Sequence, residues 1–311
     1  MISEWLEEID DAKKREKDFR KDGKEILDIY SNEQFTPYNI LYSNTETLLP
    51  ALFSEVPRPI VKRRFNDEDP MGKAVSDAAT RILEYLIDTD VDDYDKYSDT
   101  MISATLDGLL PGRGVTSVKY EEEDGWETVC TDSKKWDRVL FGYAHKWSKV
   151  PWVAYEEHLD KEEATELFGK KASRLKFTEG EENDEDDKTW EDNRDKGKKK
   201  TALIYQIWDK SDKKVKYISP QYKDDYLKVQ DDPLGLTGFF NCPKPLQFVE
   251  KSNDLLPTAL YKLYENQAKE LNRIQSRLNR VIEAIKVRGA YNGALGEEIE
   301  KILKEEDNAL V

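Results

Sequence analysis

From Pro257-Thr258 to Lys286 the chain carries its longest uninterrupted helical pattern, and no further Pro or Gly occurs until Gly289. Pro257 closes an extended approach and stands where a helix start tolerates it. Leu260, Tyr264, Gln267, Leu271, Ile274, Leu278, Val281 and Ile285 recur at alternating steps of four and three, lining one narrow face. The spacing predicts a helix over 258–286 that lies along other helices, with the apolar members of that set as its packing seam. Asn266, Lys269, Arg273, Arg277 and Arg280 fall roughly opposite, giving a mostly basic face for water or an anionic partner. The same pattern also fits a core helix with a solvated charged side.

A chain of 311 residues has room for about two domains, and a hydrophobic content of 38% is modest for a compact enzyme. Seven Trp, 16 Tyr and 10 Phe nevertheless argue against wholesale disorder. The 49 Lys and Arg against 65 Asp and Glu leave a net charge of −16, which opposes tight wrapping of nucleic acid by the chain as a whole. Only local basic faces remain for phosphate contacts. Cys130 and Cys242 have no metal-type spacing and read as buried thiols of a reduced compartment. The N-terminus MISEWLEEIDDAKKREK lacks the apolar core of a signal peptide, and no run approaches the length of a membrane span. The expectation is a soluble intracellular product with no membrane partner.

Taken in order, residues 3–30 read as a helix interrupted at Gly23, with Trp5, Ile9, Phe19, Ile26, Leu27 and Tyr30 forming a sparse apolar face. Such a face needs a larger surface or a neighbouring subunit to cover it. Residues 38–53 read as an apolar helix with Pro50 after its third turn, and Val56 to Phe65 as an extended segment fixed by Pro57 and Pro59. Helices follow over 73–87, with Ala74, Ala78, Ile82, Leu83 and Leu86 inward, and over 93–110, with Tyr94, Tyr97, Met101, Ala104 and Leu109 inward. The short loop between them favours an antiparallel pair.

Gly112-Arg113-Gly114 then turns the chain into a β-hairpin of 115–121 with 126–131; it lacks the preceding strand and the Gly-Lys-Ser/Thr ending of a phosphate loop. Trp136, Phe141, Tyr143, Trp147 and Trp152 read as the core of a partly β domain, weighed against a base-stacking platform. A short helix starts at 159–164 and ends near Gly169. Residues 178–187 hold seven acids in ten positions and Lys196 to Lys200 are basic, so 178–200 reads as a solvated, mobile loop. A second hairpin places Leu203, Tyr205 and Ile207 opposite Val215, Tyr217 and Ser219, and 233–246 is extended and proline-set. Beyond the long helix, Gly289, Gly293 and Gly296 break the pattern, and 297–304 reads as a short amphipathic helix. The fold class is α+β.

Four stretches carry a resemblance. They are NILYSNTETLLPALFSEVPRPIVKRRF; Gly112-Arg113-Gly114-Val115 into Val118-Lys119-Tyr120; Trp136-Asp137 through Trp147 to Val150-Pro151-Trp152-Val153-Ala154; and Tyr264-Glu265-Asn266-Gln267-Ala268 through Arg273-Ile274 to Ile285-Lys286-Val287-Arg288-Gly289-Ala290-Tyr291. In this order the chain resembles the portal proteins, or head-to-tail connectors, of short-tailed double-stranded DNA bacteriophages. The resemblance implies a portal fold with a mixed helix/β wing over 1–255, a stem helix over 256–286 and the start of a clip over 287–311. It further implies a second stem helix, a channel loop and a crown after residue 311, which makes this chain a truncated product or a fragment.

The function it implies is structural: a ring of about twelve copies at one capsid vertex, acting as the conduit for genome packaging and ejection. The implied partners are the chain itself, the terminase packaging motor, capsid and scaffolding proteins, tail adaptor proteins and the double-stranded DNA in the channel. The implied location is the virion, with the host cytoplasm during assembly. Within that frame Lys269, Arg273, Arg277 and Arg280 are candidates for the DNA channel or a subunit interface, and Leu260, Tyr264, Leu271, Ile274, Leu278, Val281 and Ile285 for helix packing.

No catalytic constellation accompanies these features. His145 and His158 stand without a HExxH, a Cys pair or a Gly-x-Ser-x-Gly, so neither a zinc site nor a nucleophilic triad is supported, and no cofactor is expected. Abundant carboxylates alone keep a metal-dependent hydrolase as a remote reading. A helical adaptor or scaffold-type interaction protein, zipping its heptad face to one partner, is the alternative from a different class.

Overall fold

The computed structural model describes residues 2–31, 38–63, 70–88, 96–123, 126–179 and 200–284. The chain divides into two compact units, 1–266 and 267–311. Five helices come first: α1 (Ile2–Arg15), α2 (Lys17–Ser31), α3 (Ile40–Leu52), α4 (Pro70–Asp88) and α5 (Tyr97–Leu109). Strands β1 (Val115–Glu123), β2 (Trp126–Lys134), β3 (Val139–Phe141) and β4 (Trp152–Leu159) lead to helix α6 (Lys161–Phe168). Strands β5 (Thr178–Glu179), β6 (Lys200–Asp209), β7 (Lys214–Ile218) and β8 (Lys228–Asp231) follow, and the described chain ends in α7 (Glu265–Ala284). This is a mixed α+β architecture.

The centre of the first unit is an antiparallel sheet of order β3-β4-β6-β7-β8, with β5 attached to β6. Its middle strand is apolar on both sides. Tyr205 and Ile207 face one way, Ala202, Ile204 and Trp208 the other, and all five are buried. Both faces must therefore be covered. On the first, Ile2, Ile9 and Ala12 of α1 pack against Leu140, Trp152, Ala154, Ile207 and Ile218. Each large side chain so buried contributes about 1.5–3 kcal/mol, which an isolated helix of this length cannot supply from propensity alone. Lys13 fixes the docking through Glu156 at 2.7 Å and the Tyr205 hydroxyl at 2.9 Å.

On the second face, Val139, Phe141, Val153, Tyr155, Trp208 and Val215 meet Phe239, Phe240, Cys242, Leu255 and Leu256. The end of that face is closed by α6, where Ala164 and Phe168 pack with Ala172 and Leu175 on Ala202 and Ile204. Helix α6 starts at a capping box, Asp160 accepting from the Glu163 N–H while the Glu163 carboxylate accepts from the Asp160 N–H, and ends at Gly169. The aromatic stretch is accordingly core: Trp136, Phe141 and Trp152 are buried, Trp147 stacks on Phe141 and Phe240, and Tyr143 alone of the five is well exposed.

Several expectations need correction. The N-terminal helix bends at Glu16 rather than at Gly23. Helical bonds run through the bend, from the Glu16 N–H to Ala12 O and from the Arg20 N–H to Glu16 O, but its side chain turns inward to meet Arg113. Gly23 lies inside α2 because the Trp136 ring leaves no room for a Cβ, which would sit 2.5 Å from it. Helix α4 has no buried residue; Ala74, Ala78, Ile82 and Leu83 are exposed and Leu86 is half-buried. Helix α5 packs on α3 and on the β1–β2 hairpin instead of pairing with α4, so its inward face finds a different partner. Tyr94 lies outside the described residues, as do 180–199 and 285–311.

The helix expected over 258–286 begins only at Glu265. Leu255, Leu256, Pro257, Ala259 and Tyr261 are buried in the first unit, and this anchoring holds the chain extended to Ala259 and then in a 3-10 turn over Leu260–Leu263. The Tyr264 backbone, at φ −126° and ψ 9°, separates that turn from α7. Strands β3, β4 and β8 had no expectation in the sequence, and the two ends of the expected 178–200 loop are instead strand, Thr178–Glu179 pairing with Lys200 and Thr201, whereas the β1–β2 and β6–β7 hairpins lie where it placed them.

Candidate functional site

The described part of α7 is a twenty-residue helix free of Gly and Pro, with Glu265 in the first turn where the helix dipole favours an acid. Leu271, Ile274, Leu278 and Val281 line one side and remain 46%, 53%, 49% and 56% exposed. Ile282, at 56%, widens the stripe. These values decide how the seam is to be read, since a core helix would bury it. Leu260 and Tyr264, the first two expected members, are half-buried outside the helix, where the Tyr264 ring meets Tyr261 edge-on at 5.2 Å. Ile285 lies outside the described residues.

Lys269, Arg273, Arg277 and Arg280 are all exposed. At 100° per residue they span about 80° of the helix circumference, centred well away from the apolar stripe. Arg273 bonds Glu270 at 3.1 Å, one turn earlier. For Arg277 and Arg280 no acidic partner stands among the described residues. The helix thus carries an apolar stripe and a cationic stripe, each continuous over three turns.

Within the first unit the Gly112-Arg113-Gly114 turn has a purpose that spacing alone does not reveal. Gly112 adopts φ +104°, where a side chain is strained, and a Cβ on Gly114 would lie 1.8 Å from Ala104 O. Between them Arg113 points inward with no exposed surface. Its Nη1 and Nη2 donate to the two Glu16 oxygens, its Nε to Trp136 O at 3.1 Å and its Nη2 to Val139 O at 3.0 Å, while the Phe19 ring lies 4.9 Å from the guanidinium. This arrangement ties α1 and α2 to the sheet. Among the described residues, Arg113 and Glu16 line neither the open cleft at Lys134 nor the one beside α4.

The described residues form two open clefts, among others. One, of about 560 Å³, is lined by Lys119, Lys134, Arg138, Glu157, Glu163 and Glu166 among others, and its charges neutralise one another: Lys134 bridges Asp132 at 2.9 Å and Glu157 at 3.5 Å. The other, of about 650 Å³, runs between the 60–63 segment and α4. Among the described residues no group of three or more His, Cys, Asp or Glu is placed to hold a metal ion, and no helix is long and apolar enough to cross a membrane.

Cys130 and Cys242 are both free and buried. Burial pushes the Cys242 thiol up to about 11, so it is no nucleophile at neutral pH. Burial likewise pushes the Asp107 carboxyl up to about 7, against a hydrogen bond from the Trp136 N–H and with the negative Asp137 adding to the rise. Asp107 lies under the Gly112-Arg113 turn, whose two N–H groups donate to its carbonyl, and so it belongs to the scaffold.

No model of a known protein family matches this chain, and no curated protein matches it.

Proposed function

We propose that this chain is the wing and first stem helix of a portal protein, a ring-forming conduit at one capsid vertex of a short-tailed double-stranded DNA phage. The four ordered sequence stretches support this reading. One structural observation carries it furthest: α7 leaves four large apolar side chains about half exposed on one side and a cationic stripe on another. A helix with two exposed faces is built for neighbours, and in a closed ring each copy meets one on either side. The cations then serve either the passing phosphates or the acids of an adjacent stem.

In this reading the protein performs no catalysis. A separate terminase ATPase drives the DNA, capsid and scaffolding proteins hold the ring, and tail adaptors dock beneath it. The ring is assembled in the host cytoplasm and resides in the virion. A net charge of −16 keeps the duplex from adhering while it slides.

Mass measurement in solution with ring counting in electron micrographs tests the proposal. Rings of about a dozen copies are expected. A full-length homologue that remains monomeric at high concentration overturns it, and a defined dimer favours a helical adaptor.

A further inference from the structure

The extended segment 56–62 has one closed edge and one open edge. A residue in an extended chain directs its N–H and C=O to the same side, alternately left and right. Pro57 and Pro59 lack an N–H, and the Val61 N–H donates to Thr80 Oγ1 of α4 at 3.1 Å, so the edge of 57, 59 and 61 is closed. On the other edge, the backbones of Val56, Arg58, Ile60 and Lys62 make no hydrogen bond among the described residues. Exposure alternates from Arg58 to Arg63, and Ile60 is 73% exposed. The open edge therefore displays an apolar, basic, apolar, basic sequence of side chains.

The hairpin has a matching gap. Gly114 exchanges hydrogen bonds with Leu246 and the Val118 N–H donates to Asn241 O, so the even-numbered residues of β1 face the edge away from β2. Residues 241–246 cover that edge only as far as Val118. Tyr120 and Glu122 continue it without a backbone partner there among the described residues. Their side chains lie on the open face of the hairpin, Tyr120 across from Val129 and Glu122 across from Glu127. Tyr120 and Val129 are 45% and 39% exposed, and the two glutamates form a like-charge cross-strand pair, Glu127 accepting from the Tyr120 hydroxyl, that a cation would relieve further.

We propose that the open edge around Ile60 of one copy pairs with the uncovered end of the β1 edge of a second copy, with Ile60 beside Tyr120 and a base beside Glu122. Arg58 and Lys62 flank Ile60 symmetrically, so either strand direction brings a cation to the glutamate pair. The two surfaces differ, which makes the contact head-to-tail and suited to closing a ring. The inference rests on the ring reading above and names the segments that join its copies.

Mild oxidation of the Ile60→Cys/Tyr120→Cys double variant is expected to give a ladder of covalent multimers, while either single variant stays unlinked. Arg58→Glu/Lys62→Glu and Glu122→Lys/Glu127→Lys are each expected to weaken self-association roughly a hundredfold, with unchanged circular dichroism and melting. Mixing the two reversed proteins is expected to restore association. Rings that form without the Ile60→Cys/Tyr120→Cys ladder, or that tolerate both reversals, overturn this contact and leave the ring reading standing. A wild-type chain that is monomeric at every concentration overturns this contact, and a full-length homologue that is monomeric overturns both.

Discussion

The Arg113 guanidinium meets the Glu16 carboxylate through two parallel bonds, Nη1 to Oε1 at 2.8 Å and Nη2 to Oε2 at 3.0 Å, and neither side chain is exposed. Removing one partner leaves a buried charge uncompensated. Glu16→Leu or Arg113→Met is therefore expected to cost about 3–5 kcal/mol. The pair Glu16→Leu/Arg113→Met should cost clearly less than the sum of the singles. Urea unfolding of the four proteins measures this coupling, and additive losses would argue against it.

Gly23 sits inside a helix, where Ala would ordinarily gain about 1 kcal/mol. Here the added Cβ meets the Trp136 ring at 2.5 Å and 2.7 Å. Gly23→Ala is expected to lower the melting temperature by several degrees. Gly114→Ala, which meets the unyielding backbone of Ala104, should be worse, and thermal melts followed by circular dichroism rank the two.

Asp107 supplies a pH dependence whose sign can be stated. The folded chain holds this proton up to about 7, whereas the unfolded chain releases it near 3.8. Between those values the folded state binds more protons, so this contribution to stability falls as pH rises from about 4 to about 7. Asp107→Asn removes the slope. It is expected to be about 1–3 kcal/mol more stable than wild type at pH 8 and to converge with it near pH 3.

Because the α7 stripe is exposed, Leu271→Asp/Leu278→Asp should leave the melting of residues 1–266 within about 0.5 kcal/mol of wild type. The same variant is expected to lose self-association in sedimentation. Unfolding of the body would instead mark the stripe as core.

Arg273→Gln/Arg277→Gln/Arg280→Gln tests the cationic stripe. Duplex DNA binding is expected to weaken evenly across sequences, and its salt slope to fall by about one per arginine. Fluorescence anisotropy at several salt concentrations measures this. Rings that no longer form would place the stripe between subunits instead.

Where sequence alone was informative, the signal was local. The two hairpins and the short helix that starts at 159–164 and stops near Gly169 could be read because alternation and turn chemistry act over a few residues. Periodicity detected the α7 stripe but could not say whether it is buried, and Leu271 and Ile274 are about half exposed. It also set the helix start seven residues early, because the anchoring of Leu256, Ala259 and Tyr261 overrides helix propensity. Strands β3 and β8 are too short for a period to show. Arg113 read as a turn residue, since nothing nearby in sequence announces a carboxylate at Glu16. The open edge at 56–62 was half legible: its prolines predict extension, but which edge they block depends on Thr80.

The covering of one sheet face by α1 has a bearing on synthesis. Ile2, Ile9 and Ala12 leave the ribosome first, yet the surface they rest on is complete only when Ile218 has emerged. At about 5–20 residues per second, the apolar side of the amphipathic first helix waits roughly 10–40 seconds for its seat. Through that interval it is a ready client for a chaperone, and the folding rate of the body should be limited by this late, long-range docking rather than by any local element.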